Sequence, residues 1–220
     1  MQCIKDTIKN INIVIGCNIG CSYCYARMNN NRFHTIDDFN KPVFFENKLK
    51  MLDNKRYTAY LLTGQSDLSG WNEEWKDKVF SKMKENENTQ YIFLTKRPEN
   101  INLKETPDNG WFGVTVTSSK EKTRIDYLRN NIKAKHYHIT FEPMFDDVGK
   151  LDLSNISWIV IGTETGNRKG KISSKREWVF NIYNQAKEKN IPVFMKEDLL
   201  GILNEDEFVQ EFPKEFGEIK

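Results

Sequence analysis

Tyr91-Ile92-Phe93-Leu94-Thr95-Lys96-Arg97 is a short apolar run, rich in β-branched and aromatic residues, that stops at polar and charged groups. A run of this length and composition reads as a buried strand. The same pattern recurs on either side. Upstream, Thr58–Leu62 ends at Thr63-Gly64-Gln65-Ser66-Asp67, and Ile11–Ile15 ends at Gly16-Cys17. Downstream, Phe112–Val116 ends at Thr117-Ser118-Ser119 and Tyr137–Phe141 at Glu142-Pro143. Trp158–Ile161 then ends at Gly162-Thr163-Glu164, and Pro192–Met195 at Lys196. Between these runs, Glu73–Lys84, Lys120–Asn131 and Lys175–Lys189 carry apolar residues at helical spacing. Strands alternating with helices predict an α/β fold with a parallel sheet and right-handed crossovers. In parallel β/α barrels the active site is built from loops at the carboxyl ends of the strands. The polar groups that end each run are therefore the candidate site. The bland reading of the same pattern is that loops are polar everywhere.

Composition narrows the class. The chain has 220 residues, 38% hydrophobic and 12% aromatic, which suits one large domain with a substantial core. Its 33 basic and 31 acidic residues leave a net charge of +2, which does not announce a nucleic-acid binder. The sequence has no apolar run long enough to span a bilayer, so no membrane association is expected. Met1–Gly16 lacks the layout of a secretory signal, and a cytoplasmic protein is the expectation. Residues 1–220 read as a single domain, with 204–220 an acidic C-terminal extension on the surface, docked by Phe208 and Phe212.

Of four cysteines, Cys17, Cys21 and Cys24 form a C-x3-C-x2-C cluster directly after a strand. That is no disulfide framework, which spreads pairs along a small secreted chain. Thiolates are soft ligands for iron–sulfur clusters or zinc. On one tight loop they can hold three irons of a cubane, leaving the fourth iron open to a ligand. A zinc knot completed by Cys3 or His34 is the alternative; zinc loops more often pair C-x2-C units across a longer stretch. Burial as three small apolar side chains is the third reading.

The cysteine spacing after a strand, with Tyr23 just before the third cysteine, resembles the radical S-adenosylmethionine superfamily. Phe93-Leu94-Thr95-Lys96-Arg97-Pro98, Gly113-Val114-Thr115-Val116, Phe141-Glu142-Pro143 and Trp158–Gly166 look like one branch of it. So do Pro192–Lys196 and Gln210-Glu211-Phe212-Pro213. That branch is a phage- and mobile-element-associated family of uncertain function. Many of its members have a wider gap between the first two cysteines, and the x3 gap here is closer to short members encoded in pairs.

The resemblance implies a partial (β/α) TIM-like barrel of about six to seven parallel strands. It implies a [4Fe–4S] cluster on Cys17, Cys21 and Cys24 and S-adenosylmethionine as cofactor. Reductive cleavage would give methionine and a 5′-deoxyadenosyl radical that abstracts hydrogen from a substrate, with a nucleic acid or nucleotide among the options. An external one-electron reductant is implied as partner, and a second radical S-adenosylmethionine protein encoded nearby is another. Two further functions stay open: a glycyl-radical activase of a partner protein, and a non-catalytic metal-bearing nucleic-acid-binding protein.

The residues expected to contact S-adenosylmethionine are Tyr23, Thr63, Gly64, Gln65, Ser66, Lys96, Thr117, Glu142 and Glu164. In the superfamily the loop after the second strand often reads Gly-Gly-Glu; here one Gly is absent and Gln65 replaces the acid. The bland reading of that loop is a turn capped by Ser66 or Asp67. A carboxylate at a strand end needs a partner, and for Glu142 and Glu164 the options are the sulfonium, a ribose diol or Lys196; a salt bridge within the barrel mouth is the bland reading. Asn167–Arg176 carries five basic residues and no acid, and is the candidate nucleic-acid contact; a solvated loop is its bland alternative. His136 and His138 alternate onto one strand face and read as structural, and the tryptophans read as packing.

Overall fold

The computed structural model describes residues 2–54 and 56–217. In chain order the strands are β1 (Ile8–Asn10), β2 (Val14–Ile15), β3 (Val43–Phe44), β4 (Ala59–Leu61) and β5 (Gln90–Thr95). They continue with β6 (Gly110–Thr115), β7 (His136–Phe141), β8 (Ile156–Ile161) and β9 (Val193–Met195). The helices are α1 (Ile4–Thr7), α2 (Tyr25–Phe33), α3 (Glu73–Lys84), α4 (Thr123–Asn131) and α5 (Arg176–Glu188). Seven strands form one parallel sheet, ordered β1-β4-β5-β6-β7-β8-β9, which curls into a half-barrel. Spatial order follows chain order, so every carboxyl end points to the same mouth.

The helices cover the outer face. Val79, Leu128 and Ile182 pack there against Phe93, Phe112, Ile139 and Ile161. The inner face carries Ile92, Trp111, Trp158, Val160 and Phe194. Each amphipathic segment read from the sequence is a helix, α3 with the same bounds. The side chain of Asn72 accepts from Trp75 N at 2.9 Å and starts α3.

Two expectations are corrected. The first sheet strand is Ile8–Asn10, paired as Ile8↔Ala59 and Asn10↔Leu61, not the apolar run Ile11–Ile15. Ile11, Ile13, Val14 and Ile15 are all buried. A run with four of its five residues apolar and buried suits a segment that crosses between packed layers better than an edge strand with one solvated face. β2 accordingly leaves the sheet and pairs antiparallel with β3.

The second correction concerns the acidic extension. Met195 N bonds Val209 O and Glu211 N bonds Val193 O, both at 2.8 Å, so this segment runs antiparallel along β9 and covers its edge. Phe212 and Phe216 then enter the inner face. Phe216 is fully buried, with its ring centroid 4.8 Å from Trp111 and 5.2 Å from Trp158. The extension is the floor of the half-barrel; its last residues, 218–220, lie outside those described. Phe208 packs, half-buried, on the outer core.

Both histidines of β7 face inward, as alternation requires. His136 stacks on Trp111 at 4.3 Å. His138 is buried against Phe93 O at 3.0 Å through Nε2. Burial pushes His138 down to about 4, so the ring is neutral and Nε2–H is the donor. Among the described residues no helix is long and apolar enough to cross a membrane.

Candidate functional site

The cysteine loop rests on its own small apolar base. Cys17 and Cys24 pack against Ile15, Ala26, Ile36 and Phe39. Gly16 N donates to Gln65 O at 3.0 Å, which ties the loop to the segment after β4, and Cys17 N to Phe39 O at 2.6 Å, which ties it to the chain after α2. Cys24 is the N-cap of α2, its sulfur accepting from Arg27 N at 3.4 Å. Arg27 reaches back and donates to Cys17 O at 2.7 Å. Asn30, buried in α2, exchanges two 3.0 Å hydrogen bonds with the backbone of Ile36. The helix thus grips the loop from both sides. None of this was read from the sequence, because the apolar residues of α2 fall on its exposed as well as its buried side.

All three cysteines are free and half-buried. Burial pushes the Cys17 thiol up to about 11, with Asp67, Cys21 and Cys24 adding Coulombic pressure in the same direction. Among the described residues no three His, Cys, Asp or Glu side chains converge as around a single metal ion. Cys3 donates instead to Glu197 Oε1 at 3.0 Å, and His34 is an exposed, left-handed C-cap of α2.

Around this loop the structure gathers some predicted residues and sets others apart. Tyr23 is half-buried, edge-on to Phe145 at 5.5 Å, and Lys96 Nζ lies 5.8 Å from its ring centroid. Tyr25 OH donates to Gly64 O at 2.6 Å, closing α2 onto the β4 loop. Gln65 offers its backbone carbonyl to Gly16, and its side chain has no hydrogen bond among the described residues. By contrast, three hydroxyls are engaged within the fold. Thr63 Oγ1 accepts from Leu94 N at 2.7 Å, and Ser66 Oγ from Trp71 Nε1 at 3.0 Å. Thr117 Oγ1 donates to Glu121 Oε2 at 2.7 Å. Asp67 caps the turn that follows and fastens it to β5, accepting from Ser69 N, Thr95 Oγ1 and Lys96 N.

The two glutamates have different partners. Glu142 pairs with Lys196, one of the options read for it. Burial works against the Lys196 charge, but Glu142 and Asp198 outweigh it and raise its pKa. Asp198 was not singled out in the sequence; burial raises its carboxyl, opposed by Lys196 and assisted by Glu142. Glu164, at 4% exposure, pairs not with Lys196 but with Arg168 from its own loop, which binds both carboxylate oxygens, at 2.5 and 2.7 Å, the salt bridge at the barrel mouth of the bland reading. The stretch Asn167–Arg176 is free of acid only in sequence, since Arg168 is held by Glu164 and Arg176 by Glu207. Lys169 has no ion pair or hydrogen bond through its side chain among the described residues.

A cavity of about 480 Å³, lined by Lys84, Gln90, Asn109, Lys135, His136 and Glu215, opens at the opposite end of the strands from the cysteines. A family model described as a protein of unknown function (DUF5131) matches residues 2–218. No curated protein and no solved structure matches the chain.

Proposed function

The chain belongs to the DUF5131 family, and we propose that it is a radical S-adenosylmethionine enzyme of the cytoplasm, with Cys17, Cys21 and Cys24 holding a [4Fe–4S] cluster. One observation carries the reading: three free thiols stand on a single braced loop at the mouth of a half-barrel, Cys3 is engaged by Glu197, and His34 is the exposed cap at the far end of α2 from Cys24. That donor set fits a cubane with one iron left open better than a closed zinc shell, which draws four ligands around one ion. When bound, the cluster supplies the electron that cleaves the sulfonium of S-adenosylmethionine. The chain's own residues bind and orient that cofactor. Gln65 Oε1 and the carbonyls of the β4 loop accept from its ammonium group; Lys96, held beside Tyr23, takes its carboxylate. Tyr23, against Phe145 and Lys96, and Tyr25, bonded to Gly64 O, brace the cluster loop. An external one-electron reductant is required, and a second protein of the same class is a candidate partner.

Anaerobic reconstitution followed by iron analysis and electron paramagnetic resonance tests this. The expected result is about four irons per chain, a reduced-state signal that changes when S-adenosylmethionine is added, and formation of 5′-deoxyadenosine. Cys17→Ala, Cys21→Ala and Cys24→Ala should each lose the cluster, and Cys3→Ala should keep it. Gln65→Ala should keep iron and weaken cofactor binding roughly tenfold to hundredfold, the cost of one hydrogen bond to a charged group. Stoichiometric zinc, or a full cluster that never yields 5′-deoxyadenosine, would overturn the reading.

A further inference from the structure

Glu142 follows β7, Lys196 follows β9, and both meet Asp198 above Gly162 at the end of β8. The trio is seated on bare backbone: a Cβ on Gly162 would lie 3.1 Å from Lys196 Cδ and 3.2 Å from both Glu142 Cδ and Asp198 Oδ1. Lys196 Nζ donates to Glu142 Oε1 and lies 3.4 Å from Asp198 Oδ2. Asp198 Oδ1 accepts from Thr163 N at 3.1 Å, whereas its Oδ2 is buried without a hydrogen bond among the described residues. Glu142 Oε2 makes none either.

Two carboxylates around one ammonium leave a negative balance, so a phosphate or carboxylate is repelled at this spot. Lys196 retains N–H donors and Glu142 Oε2 retains acceptor capacity, side by side on rigid strand ends. That pattern complements an uncharged edge with an N–H next to a ring nitrogen or carbonyl. Tyr25, 51% exposed, is an aromatic ring within electrostatic reach of Glu142 and Lys196 and also of Cys24. Lys169 and Lys171 stand exposed on the loop after β8. An aromatic face and outlying cations around a donor–acceptor pair suit an unpaired base on its backbone better than a peptide amide.

We propose that the Glu142–Lys196 pair, steadied by Asp198, reads the hydrogen-bonding edge of a nucleobase, so that an unpaired base within a polynucleotide is the substrate class of this site. The assignment rests on the radical S-adenosylmethionine reading. The test uses the reconstituted protein with S-adenosylmethionine under anaerobic conditions. Binding of mixed-sequence single-stranded DNA and RNA is compared with that of abasic strands of equal length. The intact strands should bind at least tenfold tighter. The double variant Glu142→Leu/Lys196→Met, which keeps the net charge and nearly the volume but removes both donor and acceptor, should erase that difference while keeping iron content and melting temperature. Equal affinity for intact and abasic strands overturns the proposal. So does a base-dependent difference that survives in the double variant, or equal competition by a glutamine-containing peptide amide. Iron content and 5′-deoxyadenosine are read in the same samples, so loss of the cluster reading is told apart from loss of the base reading. Should the double variant fail to fold, Lys196→Met alone, read by the same intact-to-abasic ratio, decides the matter.

Discussion

A methyl group at Gly16 would sit 2.9 Å from Pro42 Cα and 3.1 Å from Phe39 O, on backbone already at φ +113°. Both neighbours are backbone and cannot swing aside. Gly16→Ala should therefore cost about 1–3 kcal/mol in urea denaturation and lower the iron retained after reconstitution; unchanged values of both would show that the loop tolerates another path. Single residues also carry the pH dependence. Arg168 holds the Glu164 carboxyl below its usual 4.5, chiefly through its hydrogen bonds, against the opposing effect of burial. A carboxyl depressed in the folded state stabilises the fold above its unfolded value, and that contribution is lost as pH falls through the folded one. Arg168→Gln should thus destabilise the protein above about pH 5 and progressively less below about pH 4, measured by denaturation across a pH series. A penalty equal at both ends would sever the pair from stability. At this scale the cysteines were legible, because soft ligands at tight spacing have few uses. The partner of Glu164 was not: three residues of irregular loop between the two partners leave no periodicity to read.

β6 and β7 show what an element can hide. Gly113 faces His138 across the inner sheet face, and a Cβ there would fall 2.4 Å from the imidazole. Gly113→Ala should cost about 1–3 kcal/mol through overpacking. In a background of His138→Ala the same change should be nearly neutral, and a double-mutant cycle by chemical denaturation measures the difference. Additive costs would mean that the strands separate to make room. Apolar runs with polar ends marked β4 to β9 within a few residues, since a buried parallel strand must be apolar on both faces. β1 escaped notice: Ile8-Lys9-Asn10 is short and half polar, as an edge strand is, and the more apolar run beside it drew the assignment. The same physics hid α2, whose exposed Tyr25, Met28 and Phe33 blur its buried stripe.

Across the whole molecule, the barrel floor is supplied from far along the chain. Phe216→Ala should destabilise by about 3–5 kcal/mol, as for any large aromatic removed from a core, although it lies in an acidic stretch that reads as surface. Thermal and urea unfolding would check this, and a loss below about 1 kcal/mol would return the segment to the periphery. Composition misled here because charge counts average over a stretch in which two aromatics set the packing. The same arrangement has a consequence during synthesis. Trp111 and Trp158 leave the ribosome well before Phe212 and Phe216, which cover them. At about 5–20 residues per second the nascent chain keeps that aromatic surface uncovered for several seconds. It is then a natural target for chaperones, and emergence of the segment that carries Phe212 and Phe216, rather than formation of the sheet, sets the moment at which that surface becomes safe from aggregation.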